Sequence, residues 1–217
     1  MCSVGRRADR LEAEFSRLEM LHARPSARLA WNDLDVVARE RLDAVLVMLG
    51  YRLAPGDLRP GPWDMQLTDG TFVELDEENH FTRYRAMALQ SPWAQSLPWG
   101  ARWAEYCRDY EGKAQARGAY WHTARAGQMF GASDPPRSFK GGGSARWKQR
   151  ALYDSMKDLA AASGSVSLAR LSIYDKIDGV PLGQRLRTGS LATAALRDLV
   201  AQRRVAAVGG RSYRNES

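Results

Sequence analysis

The sequence predicts a mixed α/β fold, and three observations carry that prediction. Two amphipathic helical stretches precede a pair of short β segments joined at an Asp-Gly step, and a long capped helix comes much later. An alternating, partly β-branched segment then follows that helix, which is an order typical of mixed sheets. With 217 residues, 44% of them hydrophobic, the chain is long enough to bury a core, and one domain over 1–217 is expected.

The elements follow in order. Leu11, Phe15, Leu18 and Leu21 recur at spacings of three and four, which predicts a helix over residues 5–23 within an N-terminal segment 1–30. Asn32 or Asp33 is the expected N-cap of a second helix, LDVVARERLDAVLVMLG, with Gly50 as its stop. Tyr51–Leu53 reads as a short strand before a stretch rich in Pro and Gly. WDMQL and TFVELD flank Thr68-Asp69-Gly70, a hairpin signal. RYRAMAL then reads as helix.

Residues 91–140 are expected to form a helical, aromatic-rich insertion with Trp93, Trp99, Trp103, Trp121, Tyr106, Tyr110 and Tyr120. Rings at helical spacing favour a core. The alternative is base stacking beside Arg102, Arg108 and Arg117. Ser144 is the expected N-cap of the long helix SARWKQRALYDSMKDLAAAS, and VSLARLSIY (Val166–Tyr174) the strand after it. A last helix over 190–205 and a flexible tail at 206–217 complete the chain.

Lys and Arg number 32 against 25 Asp and Glu, giving a net charge of +7 and a pI near 9.7. That balance suits a polyanionic partner such as nucleic acid, or an anionic membrane surface. No apolar run approaches the ~20 residues of a membrane span, and the N-terminus lacks the apolar stretch of a secretory signal. A cytoplasmic protein without a membrane partner is expected. Cys2 and Cys107 lie far apart, and the three histidines are scattered, which disfavours zinc. The nucleophile-elbow pattern G-x-S-x-G is absent.

The stretch FVELDEENHF carries most of the chemistry. Glu74 and Asp76 are two apart on an expected strand, so they share a face, and Asp64 starts the opposing strand. Three converging carboxylates repel one another unless a positive group sits among them. A hard divalent cation with oxygen ligands satisfies them. The plainer alternative makes EENH a solvated helix start with Asp76 as its N-cap.

Helix, strand, Trp63-Asp64, turn and Val73-Glu74-Leu75-Asp76 together resemble the core of the PD-(D/E)xK nuclease superfamily, over roughly residues 34 to 89. The resemblance implies a restriction-endonuclease-like mixed sheet flanked by helices. It also implies a Mg²⁺- or Mn²⁺-dependent nuclease, an endonuclease rather than an exonuclease, with DNA favoured over RNA as substrate. Asp76 stands where that family has Lys. FVELDEENHF is similar to the very-short-patch-repair-like variant, in which an acidic-x-Asp pair is followed by His, and this implies that His80 positions or protonates an oxygen. Gln149 and Tyr153 match the Q-x-x-x-Y helix pattern of RecB-type members, where the pair abuts the metal site.

By the same resemblance, Lys148 replaces the charge that Asp76 displaced, and Glu40 on the preceding helix joins the metal ligands. Many such nucleases act as homodimers, so a second copy or a partner protein fits the resemblance. Arg146, Lys148 and Arg150 on the long helix read as backbone contacts or as solvated charges. Lys140 precedes three glycines whose N–H groups lie just before a helix N-terminus, an arrangement that attracts phosphate or simply serves as a linker. The Walker order is missing, so an NTPase is not read. The competing reading of the whole chain is a catalytically inactive nuclease-like module that binds nucleic acid or protein.

Overall fold

The computed structural model describes residues 6–117, 121–189, 191 and 193–208. The chain begins with α1 (Arg6–Arg17), β1 (Leu21–Ala23), α2 (Val36–Leu49) and the hairpin strands β2 (Met65–Leu67) and β3 (Phe72–Asp76). Five helices follow: α3 (Arg83–Leu89), α4 (Pro92–Gln95), α5 (Gly100–Arg117), α6 (Ala124–Phe130) and α7 (Ala145–Ala162). Next come β4 (Leu168–Ser172), a ribbon of β5 (Lys176–Ile177) and β6 (Val180–Pro181), and α8 (Leu182–Thr188). The last elements are α9 (Thr193–Gln202) and β7 (Arg204–Val205). The fold is mixed α/β, as the element order predicts.

The chain divides into two compact units. The first holds the described residues within 1–27, 62–77 and 164–217, and the second those within 28–61 and 78–163. The expected insertion at 91–140 corresponds to α4, α5 and α6 of the second unit.

The first unit is built on a five-stranded sheet in the order β1-β2-β3-β4-β7. β1, β2 and β3 form an antiparallel meander, β4 runs parallel to β3, and β7 is antiparallel to β4. The Asp-Gly step closes the hairpin as the sequence suggests. Gly70 takes a φ of +82°, and the Thr71 N–H donates to Asp69 Oδ1 at 3.0 Å. All five residues of β3 and all five of β4 are buried, polar and apolar positions alike, so the alternation of VSLARLSIY does not mark a solvated face.

The second unit centres on α7, which packs on α2, α3, α4 and α6. Ser144 caps it, its Oγ accepting the Trp147 N–H at 3.1 Å. The aromatic segment resolves as core. Trp99 and Trp103 are fully buried, Trp93 and Trp121 nearly so, and Trp103 and Tyr106 pack with Phe81. Those buried rings are unavailable for base stacking.

Several boundaries differ from the sequence reading. α1 stops at Arg17, where the chain turns through Glu19 at a φ of +56°, so that Leu21–Ala23 forms an edge strand instead of more helix. The second helix is capped by Asp35, whose carboxylate accepts the Ala38 N–H at 2.7 Å. Asn32 and Asp33 lie in a preceding 3-10 turn. Tyr51–Leu53 is not a strand. The Tyr51 N–H completes the end of α2 on Leu46 O, and the Arg52 N–H donates to Met129 O. The last helix ends at Gln202, and Arg204–Val205 adds an edge strand to β4. Residues 209–217 of the expected tail, together with Tyr120, lie outside the described residues.

Candidate functional site

The hairpin brings two of the predicted carboxylates together. Trp63 stacks on Phe72 across the hairpin, with centroids 4.8 Å apart, and this anchors the residue that follows it. The Asp64 N–H donates to Glu74 Oε1 at 3.2 Å, and the Leu75 N–H donates to Asp64 Oδ2 at 2.9 Å. Each acid is thus oriented by the other's strand. Asp64 is half-buried and Glu74 buried, so the two oxygen donors are held in place before any ligand arrives.

Asp76 has a different partner. The parallel register sets Glu74 beside Arg170 and Asp76 beside Ser172, and Arg170 Nη1 donates to Asp76 Oδ1 at 2.7 Å. Both side chains are fully buried. This corrects the reading of Asp76 as an N-cap. The cation next to Asp76 is Arg170 on β4, a residue that sequence reasoning passed over, and Asp76 is an ion-pair partner in place of an N-cap. A charged residue in the middle of a buried strand, the Arg of VSLARLSIY, was the available signal.

In the second unit His80 ends a 3-10 turn (Glu78–His80). Its Nδ1 lies 2.9 Å from Asp154 Oδ2, and its Nε2 lies 2.9 Å from Arg150 Nη1. Arg150 and Asp154 are four apart on α7 and so address one imidazole from one helix face. Asp154, like Arg170, was missed; its one cue is its position a turn after Arg150. Gln149 and Tyr153 do meet, as Q-x-x-x-Y spacing requires, with Gln149 Nε2 donating to Tyr153 Oη at 3.4 Å. Gln149 Nε2 also lies 3.0 Å from Met129 Sδ, and Arg146 donates to Gln149 Oε1.

Nearer the start of α7, Lys148 is half-buried, with Nζ 5.4 Å from the centroid of the Tyr84 ring. Burial, and then the nearby Arg52 charge, pushes its ammonium pKa down, with Asp134 opposing. Arg52 packs its guanidinium on Gly131, where a Cβ would meet Nη1 at 2.5 Å. Glu40 is exposed on α2, as an ordinary surface charge would be.

The glycine loop corrects the phosphate-site reading. Its N–H groups are already taken by a carboxylate of the same loop. Gly141 and Gly143 donate to Asp134 Oδ2 at 2.8 and 2.9 Å, and Gly142 donates to Oδ1 at 3.0 Å. The same geometry rules out the linker reading. A Cβ on Gly142 would meet Ala132 O at 2.7 Å, and one on Gly143, where φ is +65°, would meet Tyr84 Oη at 1.7 Å. Gly143→Ala is therefore expected to cost about 2–3 kcal/mol in a urea melt.

Lys140, at the start of the loop, is exposed. The Gly141, Gly143 and Gly142 N–H bonds hold the Asp134 carboxyl below its ordinary value of 3.8. A lowered acid stabilises the folded state above its ordinary pKa, and that contribution is lost as pH falls through the folded value. Amide exchange at Gly141–Gly143, taken relative to its intrinsic rate, should thus become faster below about pH 4. In Asp134→Asn it should already be fast at neutral pH, without that acid step.

Residues 44–188, more than half of the chain, match DUF7255, a family of unknown function. The chain belongs to this family. The DUF7255 stretch includes Asp64, Glu74, Asp76, His80, Asp134, Asp154 and Arg170, and leaves out Glu40, α1, β1, α9 and β7. No curated protein and no solved structure matches the chain.

Proposed function

We propose that this DUF7255 protein is a metal-dependent nuclease that hydrolyses phosphodiester bonds, with DNA favoured over RNA, on a restriction-endonuclease-like sheet. The observation that carries the reading is the reciprocal locking of Asp64 and Glu74 across the hairpin. Three carboxylates and the Arg170 guanidinium sum to a formal charge of −2, which suits one divalent cation. Asp64 and Glu74 are hard oxygen donors and would hold Mg²⁺ or Mn²⁺. Bound there, the ion would lower the pKa of water and offset negative charge developing at phosphorus.

The remaining residues bind and orient. Arg170 holds Asp76 neutralised, so this third acid adds little repulsion to the Asp64–Glu74 pair. Lys148, Arg146 and Arg150 on α7, with Lys140, would contact phosphate oxygens, and Gln149 and Tyr153 would fix the conformation of that helix face. Binding by such contacts falls steeply with salt. Among the described residues no helix is long and apolar enough to cross a membrane. A cytoplasmic location, and action as a homodimer or with a partner protein, are part of the same proposal.

One observation favours the competing reading of an inactive binding module: Asp76 occupies the superfamily's Lys position and is engaged by Arg170. Incubating the protein with single- and double-stranded DNA and RNA, in Mg²⁺, Mn²⁺ or EDTA, separates the two. Cleavage that EDTA abolishes supports the nuclease. Binding of nucleic acid without cleavage under any of these conditions supports the module.

A further inference from the structure

Arg150 is a half-buried cation paired with a neutral group. Its Nη1 lies 2.9 Å from His80 Nε2, and among the described residues it makes no ion pair. A guanidinium has donors only, so Nε2 must accept. The ring proton then sits on Nδ1 and is donated to Asp154 Oδ2 at 2.9 Å. His80 is thereby fixed as the neutral Nδ1–H tautomer, with the lone pair of Nε2 covered by Arg150. Asp154 is buried, and it orients the ring from the far side.

A phosphodiester oxygen is a better partner for a guanidinium than a neutral imidazole is, since it adds charge to the hydrogen bond and accepts in a bidentate fork. We infer that Arg150 is a phosphate-receiving arginine parked on His80, and that a phosphodiester anion draws it away and uncovers Nε2 while Asp154 keeps the tautomer. Substrate binding thus exposes an oriented lone pair that is masked in the free protein. The inference rests on the nucleic-acid part of the proposed function and not on hydrolysis. Asp154 is a positioning residue in this scheme, and Arg150 both covers the ring and binds the anion.

The test uses the full chain, ¹⁵N-labelled and in EDTA, so that no cleavage intervenes. Long-range ¹H–¹⁵N correlation reads the His80 ring nitrogens, with His80→Gln used to assign them. Short single- and double-stranded DNA oligonucleotides are the probes, and inorganic phosphate is the small-anion arm. In the free protein Nδ1 should be protonated and Nε2 should be a hydrogen-bonded acceptor. With saturating oligonucleotide, Nε2 should move from its free-protein position to the one it has in ligand-free Arg150→Ala, while Nδ1 stays protonated.

Arg150→Ala should show the shifted Nε2 signal without any ligand and should lower the log–log salt slope of DNA binding by about 1. Arg150→Lys should keep that slope. A proton on Nε2 in the free protein, an Nε2 signal unmoved at saturation, or failure of every oligonucleotide to bind would overturn the inference. If Nε2 is uncovered by DNA in a protein that never cleaves, the inference stands and the hydrolytic reading falls.

Discussion

Glu74→Gln is expected to reduce metal-dependent cleavage by at least about 10²-fold while leaving the fold intact. The substitution is nearly isosteric, and its amide oxygen still accepts the Asp64 N–H that Glu74 Oε1 now accepts. What it removes is charge. The hairpin would then present one carboxylate, Asp64, oriented by the Leu75 N–H, beside an Asp76 already engaged by Arg170. A divalent ion held by one free carboxylate binds weakly, so the loss should be partly rescued by raising Mn²⁺ well above the level that saturates the wild type. A structural role for Glu74 alone would show no such rescue. Asp64→Asn should behave in the same way, because the two acids act as a unit.

Arg170→Met is expected to destabilise the folded state by about 3–5 kcal/mol, a large share of the total stability of a typical domain. Arg170 and Asp76 are both fully buried in neighbouring central strands, 2.7 Å apart. Removing the guanidinium leaves a carboxylate in the interior without its cation. Replacing both residues, as in Arg170→Met with Asp76→Leu, removes the stranded charge and should recover much of the loss. Urea denaturation of the two single variants and the double variant measures this directly. A double variant no more stable than Arg170→Met would show that the pair is not the source of the effect.

The parts of the site legible in the sequence are those fixed by short-range rules. Asp69-Gly70 announces the hairpin, and a period of two places Glu74 and Asp76 on one face of it. Ser144 and the four-residue spacing of Gln149 and Tyr153 likewise mark the start of α7 and one of its faces. The partners that decide the electrostatics lie far away in sequence. Arg170 is 94 residues from Asp76, and Asp154 is 74 residues from His80. Both pairings depend on tertiary packing that no local pattern encodes.

β1 and β7, of three and two residues, are too short to show periodicity. Asp134 is a different case. It lies only seven to nine residues from Gly141, Gly142 and Gly143, but three consecutive glycines read as flexibility or as a phosphate site until the carboxylate among their N–H groups is seen.

The central claim is that Asp64 and Glu74 together bind a divalent cation, and calorimetric titration of the purified protein with Mn²⁺ tests it most directly. One site is expected in the wild type, weakened at least about tenfold in both Asp64→Asn and Glu74→Gln, and unchanged in Glu40→Gln. Mn²⁺ binding equally strong in all four proteins, or none in the wild type, would contradict it.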